Sequence, residues 1–170
     1  MATLIAENGT GVYGANSYAT EADADLYFEK RLHTTTWDDA GDAKEIALMW
    51  ATRLLDEHVN WFGYITYDSQ PLRWPRTGLT DMEGRDIDAD GIPAFLIEAT
   101  AELALYLIGE DTTLETNRDL IGLKKVTIDT LSITTDSSTL AIKSVIPASV
   151  WSMIKFYGQP YGGTRRLGRC

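Results

Sequence analysis

Cysteine and histidine, which build disulfides and many metal centres, are scarce in this sequence. The 170 residues include one cysteine, Cys170, and two histidines, His33 and His58. A single cysteine cannot form a disulfide within the chain or a cysteine zinc site, and neither histidine belongs to a spaced metal-binding motif. We therefore expect no disulfide, no metal and no cofactor.

Long apolar runs and known catalytic motifs are also missing. Without a run of about 18 apolar residues we expect no membrane-spanning helix. The opening MATLIAENGTG lacks the basic and apolar regions of a secretory signal. No G-x-S-x-G, P-loop or H-E-x-x-H pattern occurs, so we expect the protein not to be an enzyme. DIDADG, residues 86–91, resembles the start of a calcium loop, but Ile97 stands where the bidentate glutamate belongs, which favours a plain acidic turn.

Negative charge dominates all of the chain except its C-terminal end. The first 142 residues carry all 25 acids and 10 of the 15 bases, whereas residues 143–170 carry five bases and no acid. An acidic body repels phosphate at long range, although a basic end could contact nucleic acid or an acidic neighbouring subunit. The simplest alternative is that the acidity only keeps the protein soluble.

Four stretches have the apolar spacing and the end signals of helices: SYATEADADLYFEKRLH, DAKEIALMWATRLLDEHV, IPAFLIEATAELALYLIGED and IPASVWSMIKFYG. Thr20 is the expected N-cap of the first helix, paired with Asp23, and Asp42 is the expected N-cap of the second. In the second helix Ile46 falls on the predicted core face. The third is apolar on most sides, which is typical of a central helix or of one that packs on a neighbouring subunit.

The rest of the sequence completes a mainly α fold. Alternating apolar residues in LKKVTIDTLSITTDSSTLAIKSV predict a short β-strand pair near residues 123–145. Residues 60–91 show no clear element but are rich in aromatic side chains, so we expect a long ordered loop. We predict a small bundle of about four helices as one domain, residues 1–158. A flexible, extended basic C-terminal arm, residues 159–170, is expected to follow it.

One segment of the predicted loop, QPLRWPRTG at residues 70–78, combines rigidity, an aromatic ring and positive charge. Its two prolines exclude a helix, and Trp74 is too apolar to remain in water. Trp74 between Arg73 and Arg76 could stack on the bases of a single strand, but such arginines more often stack on the tryptophan or pair with acids. We predict that Trp74 anchors the loop on its own subunit or on the next one. Arg73 and Arg76 are then expected to pair with acids across the contact.

Several segments, taken in order, resemble a known family: SYATEADADLYFEKR, Trp37, ALMWATRLLDEHVNWFG, QPLRWPRTGLTDMEGRDID and IPAFLIEATAELALYL. The family consists of tailed-phage proteins often labelled DnaT-like single-stranded DNA-binding protein, and the resemblance is carried mainly by residues 15–110. Its members look like head–tail connector adaptors. The resemblance implies a homo-oligomeric ring of about twelve copies, with portal and tail proteins as partners and genomic DNA passing through it. It also implies a location in the virion, or in the host cytoplasm before assembly.

The label and the structural role differ, and the charge favours the structural role. A single-strand binder needs a basic groove, whereas an acidic wall suits a channel through which DNA slides without sticking. We therefore predict a virion head–tail connector adaptor, with a DnaT-like single-stranded DNA-binding replication protein as the alternative. Arg165, Arg166 and Arg169 in the C-terminal arm are predicted to dock on an acidic partner.

Overall fold

The computed structural model describes residues 3–110, 126–128, 131–133 and 145–161. Within these ranges the protein is mainly α, as predicted, and the four predicted helices are all present. A short additional helix surrounds Trp37. The helices are α1 (Glu21–Phe28), α2 (Thr35–Asp38), α3 (Ala43–His58), α4 (Ala94–Gly109) and α5 (Ala148–Ile154).

Three short antiparallel strand pairs accompany the helices in the described ranges. The strands are β1 (Val59–Trp61), β2 (Tyr64–Ile65), β3 (Arg76–Thr77), β4 (Val126–Ile128), β5 (Leu131–Ile133) and β6 (Gly158–Pro160). The pair β4–β5 lies within residues 123–145, where a short strand pair was predicted. The pair β2–β3 lies inside the predicted long loop. The pair β1–β6, in which Val59 faces Pro160, joins the end of α3 to the segment after α5 and was not predicted.

The start of α1 follows the expected capping pattern, whereas the start of α3 does not. The Thr20 hydroxyl accepts a hydrogen bond from the Asp23 N–H at 3.1 Å, and the Asp23 carboxylate accepts one from the Thr20 N–H at 2.9 Å. Asp42 already has helical backbone angles, φ −61° and ψ −14°, and makes no capping bond. The prediction that Asp42 caps α3 is wrong, because a capping side chain reaches the helix N–H groups from an extended backbone.

The core forms around α4, which confirms the prediction of a central helix. α4 packs against α1, α2, α3 and α5, and both Leu96 and Leu103 are fully buried. On α3 the buried stripe runs through Leu48 and Leu55, so that Ile46 is 58% exposed and its predicted core position is wrong. Both flanks of this helix carry apolar residues, and the side that α4 covers decides which are buried. No helix in the described ranges is long and apolar enough to cross a bilayer.

The C-terminal arm was predicted to begin at residue 159. Gln159 and Pro160 belong to β6 and pair with Asn60 and Val59. Residues 162–170 lie outside the described residues, so the flexible arm and the boundary of the domain before it stay predictions.

Candidate nucleic-acid interface

The QPLRWPRTG segment is anchored in the core of its own chain. Trp74 is fully buried, and its ring meets the rings of Trp61 and Phe95 edge to face, each at a centroid distance of 5.7 Å. Such edge-to-face pairs stabilise a core beyond the area that they bury. Trp74 therefore anchors the loop, as predicted, and does so by packing within its own subunit. Its buried ring is not available to stack on a base.

Arg76 holds the same segment from the other side. Its guanidinium, in a residue only 8% exposed, donates to the backbone carbonyls of Phe62 at 2.6 Å, Gly63 at 2.8 Å and Arg73 at 2.9 Å. Burial lowers the pKa of Arg76, but an arginine still remains protonated at neutral pH. Arg76 thus ties two segments of its own chain together, and the predicted ion pair with another subunit is not open to it.

Arg73, between these two anchors, turns outward. Its N–H donates to the Asp56 carboxylate at 3.0 Å, and the same carboxylate accepts the Tyr18 hydroxyl at 2.5 Å. The Tyr18 oxygen in turn accepts the N–H of Trp74 at 3.2 Å. Burial raises the pKa of Asp56, while the hydrogen bonds from Tyr18 and Arg73 partly oppose that rise. This network fixes the backbone of Arg73 and leaves its side chain exposed at the rim of a groove.

That groove runs past β6 in three adjoining sections, and we name it the β6 groove. The arginine section, about 490 Å³, includes Arg53, Asp56, Glu57, Arg73 and Tyr161. The middle section, about 170 Å³, includes His58, Trp151, Pro160 and Tyr161. The lysine section, about 560 Å³, includes Phe62, Trp151, Lys155, Gln159 and Pro160. Tyr161 lines the first two sections, and Trp151 and Pro160 line the last two, so neighbouring sections share walls.

The groove is less acidic than the chain as a whole. Three arginine or lysine residues and two acids line it, against a net charge of −10 for the chain. Both acids lie in the arginine section, where Glu57 pairs with Arg53 at 2.7 Å. Among the described residues, the side chains of Arg73 and Lys155 form no ion pair with a carboxylate. The two ends of the groove therefore each present a base that can bind an anion.

Exposed aromatic side chains lie between and beside these bases. Tyr161 is 71% exposed and Phe62 is 42% exposed, while Trp151 is partly buried on the groove wall. The ladder β1–β6 fixes their positions, because the N–H of Tyr161 donates to His58 O at 2.8 Å and the N–H of Phe62 donates to Tyr157 O at 2.8 Å. Aromatic faces interleaved with cations are the chemistry that binds unpaired bases and their phosphates.

Comparison with known proteins identifies a family for this chain. The model of the family described as "Putative DnaT-like ssDNA binding protein" matches residues 2–169. The chain belongs to this family. No curated protein and no solved structure matches the chain. The resemblance found from the sequence alone is therefore confirmed for the DnaT-like family.

The role that we predicted from that resemblance is wrong. The family is described by single-stranded DNA binding. This description agrees with the alternative function and not with a head–tail connector. The virion role, the portal and tail partners and the ring of about twelve copies lose their basis with it. The location of the protein stays a prediction. The net charge misled because it averages over a surface on which the bases are locally grouped.

Sequence reasoning missed most residues of the β6 groove. Of the predicted interface residues, the structure brings Arg73 to the groove, whereas Trp74 and Arg76 are buried and do not line it. Arg165, Arg166 and Arg169 lie outside the described residues, within eight residues of Tyr161. Lys155 could have been found, because it lies in the stretch from residue 143 onward that has no acid. Arg53 and Phe62 carry no such signal in the sequence.

No group of three or more histidine, cysteine, aspartate or glutamate side chains in the described part of the chain could hold a metal ion. In the acidic turn at residues 86–91, the Asp88 carboxylate accepts the N–H of Asp90 at 3.0 Å. That bond is typical of a turn stabilised by its own side chain.

Proposed function

We propose that this DnaT-like protein binds single-stranded DNA along the β6 groove. The family match over residues 2–169 carries the proposal, and the groove supplies a surface with the right chemistry. Arg73 and Lys155 contact phosphates at the two ends, while Tyr161 and Trp151 contact bases between them. A duplex hides its base faces in the stack, whereas a single strand offers them to aromatic side chains.

The acidity of the chain sets the strength and the salt response of this binding. With a net charge of −10, the protein has no long-range attraction for DNA, so binding depends on a few local contacts. For a single strand, each phosphate contact contributes about 0.7 to the slope of log affinity against log salt, so two contacts give about 1.4. Repulsion from the body lowers the measured slope further, since added salt screens repulsion as well as attraction.

Fluorescence anisotropy with a labelled oligothymidine of about 15 nucleotides, titrated at several salt concentrations, tests the proposal. We expect Arg73→Ala and Lys155→Ala each to weaken binding and to lower the salt slope by about 0.7. Lys30→Ala is the matched control. Lys30 is an exposed lysine without an ion pair in the described ranges, and it lies in a different depression beside Asp23 and Glu98. No binding by the wild type, or equal losses in all three variants, would refute the proposed groove.

We also propose that the chain acts by binding alone, without a catalytic step and without a cofactor. Its support is the sequence, in which no G-x-S-x-G, P-loop or H-E-x-x-H pattern occurs. A DNA substrate that is unchanged after prolonged incubation with the protein and divalent cations is the expected result. Self-association of the chain stays a prediction.

A further inference from the structure

The lysine section of the β6 groove contains no acid in a chain that has 25 of them. Its walls are aromatic and aliphatic, and its one charged residue is Lys155. The Lys155 ammonium lies 5.4 Å from the ring centroid of Phe156. A shallow, open apolar surface with one available cation at its edge suits a flat, apolar group attached to an anion.

The walls of this section are held by the ladder β1–β6 and by α5. Gly158 faces Trp61 across the ladder, and a Cβ atom on Gly158 would lie 2.5 Å from Val59 Cγ1. Glycine therefore lets the two strands approach closely. The Ser152 hydroxyl donates to Ser149 O at 2.6 Å and is already used within α5. The Gln159 amide makes no side-chain hydrogen bond in the described part of the chain, so it can donate to and accept from a ligand.

We infer that the lysine section is a subsite for one unpaired nucleobase of the DNA strand. The base contacts Phe62 and Trp151, Lys155 contacts the adjoining phosphate, and the Gln159 amide meets the edge of the base. This inference rests on the proposed function and adds to it a base-binding role for a particular section. An amide that can both donate and accept accommodates every base, so the subsite distinguishes a base from no base and does not read sequence.

Two oligonucleotides with equal numbers of phosphates test the inference. One is an oligothymidine, and in the other every base is replaced by an abasic site. One stacked base contributes roughly a 5- to 150-fold gain in affinity, so we expect the abasic strand to bind at least about fivefold more weakly. Phe62→Ala should reduce that difference, and the part that remains belongs to the bases that contact Tyr161 and Trp151. Tyr64→Ala is the matched control, because Tyr64 is 76% exposed and does not line the groove.

Photocrosslinking locates the base independently of affinity. An oligonucleotide that carries 5-iododeoxyuridine should crosslink to Phe62 or Trp151, as identified by mass spectrometry of the digested protein. Crosslinks confined to residues outside the lysine section, or a Phe62→Ala variant that keeps the full difference between the strands, overturn the subsite and leave the proposed function standing. Equal affinity of the wild type for the two strands overturns the subsite together with the base contacts proposed for Tyr161 and Trp151. Failure of the wild type to bind either strand overturns both. Melting curves of Phe62→Ala establish that the variant is folded.

Discussion

Replacing Trp74 by alanine should destabilise the protein severely. Trp74 is fully buried and meets the rings of Trp61 and Phe95, each at 5.7 Å. Truncation of a buried tryptophan typically costs about 3–5 kcal/mol, because transfer energy is lost and a cavity is left. Since two aromatic contacts disappear as well, we expect about 4 kcal/mol for Trp74→Ala.

Trp74→Phe provides a matched comparison for this prediction. The indole Nε1 of Trp74 is buried and has no hydrogen-bond partner among the described residues. Phenylalanine therefore removes volume without breaking a hydrogen bond, and we expect a cost of about 1 kcal/mol.

Urea unfolding followed by far-UV circular dichroism measures both free energies without depending on tryptophan fluorescence. A protein of this size should lose about 2–4 °C of melting temperature for each kcal/mol, so Trp74→Ala should melt about 8–16 °C lower. If Trp74→Ala unfolds within about 1 kcal/mol of the wild type, the segment is not anchored by this ring.

Three further predictions concern the groove and its supports. Burial raises the pKa of Asp56, so the folded protein holds this proton more tightly than the unfolded chain, and the contribution of Asp56 to stability falls as pH rises through the raised pKa. The difference in unfolding free energy between Asp56→Asn and the wild type should therefore change in favour of the variant when the pH is raised from below 3.8 to neutrality. A difference that stays constant with pH would contradict this. Glu57→Gln should strengthen oligonucleotide binding about twofold in anisotropy titrations, because it releases Arg53; weaker binding would contradict the charge assignment. Gly158→Ala should cost about 1–3 kcal/mol in urea unfolding, because its Cβ would lie 2.5 Å from Val59 Cγ1, and an unchanged midpoint would show that the ladder can adjust.

Local patterns in the sequence predicted the parts of the fold that depend on local contacts. The pairing of Thr20 with Asp23 follows from their spacing, and α4 was recognised because apolar residues cover most of its surface. The burial of Trp74 followed from its apolar ring between two prolines. In each case the side chain and its immediate neighbours suffice to define the structure.

The parts that were missed depend on residues far apart in the chain. The pairing of Val59 with Pro160 has no counterpart in local spacing, and the β6 groove exists only because of that pairing. The hydrogen bonds that Arg76 donates to three backbone carbonyls likewise depend on distant residues, because two of the carbonyls belong to Phe62 and Gly63. The net charge gave the wrong function, because it could not show that Arg73 and Lys155 line one groove.

The ladder β1–β6 also has a consequence for the order of folding during synthesis. Val59 and Pro160 are about a hundred residues apart, so their pairing closes a long loop at an entropic cost. The contacts among α1, α3 and α4 lie within the first 109 residues and can form while the rest is still being made. A nascent chain can therefore pack α1, α3 and α4 first, whereas α5 and the groove are added only near the end of synthesis.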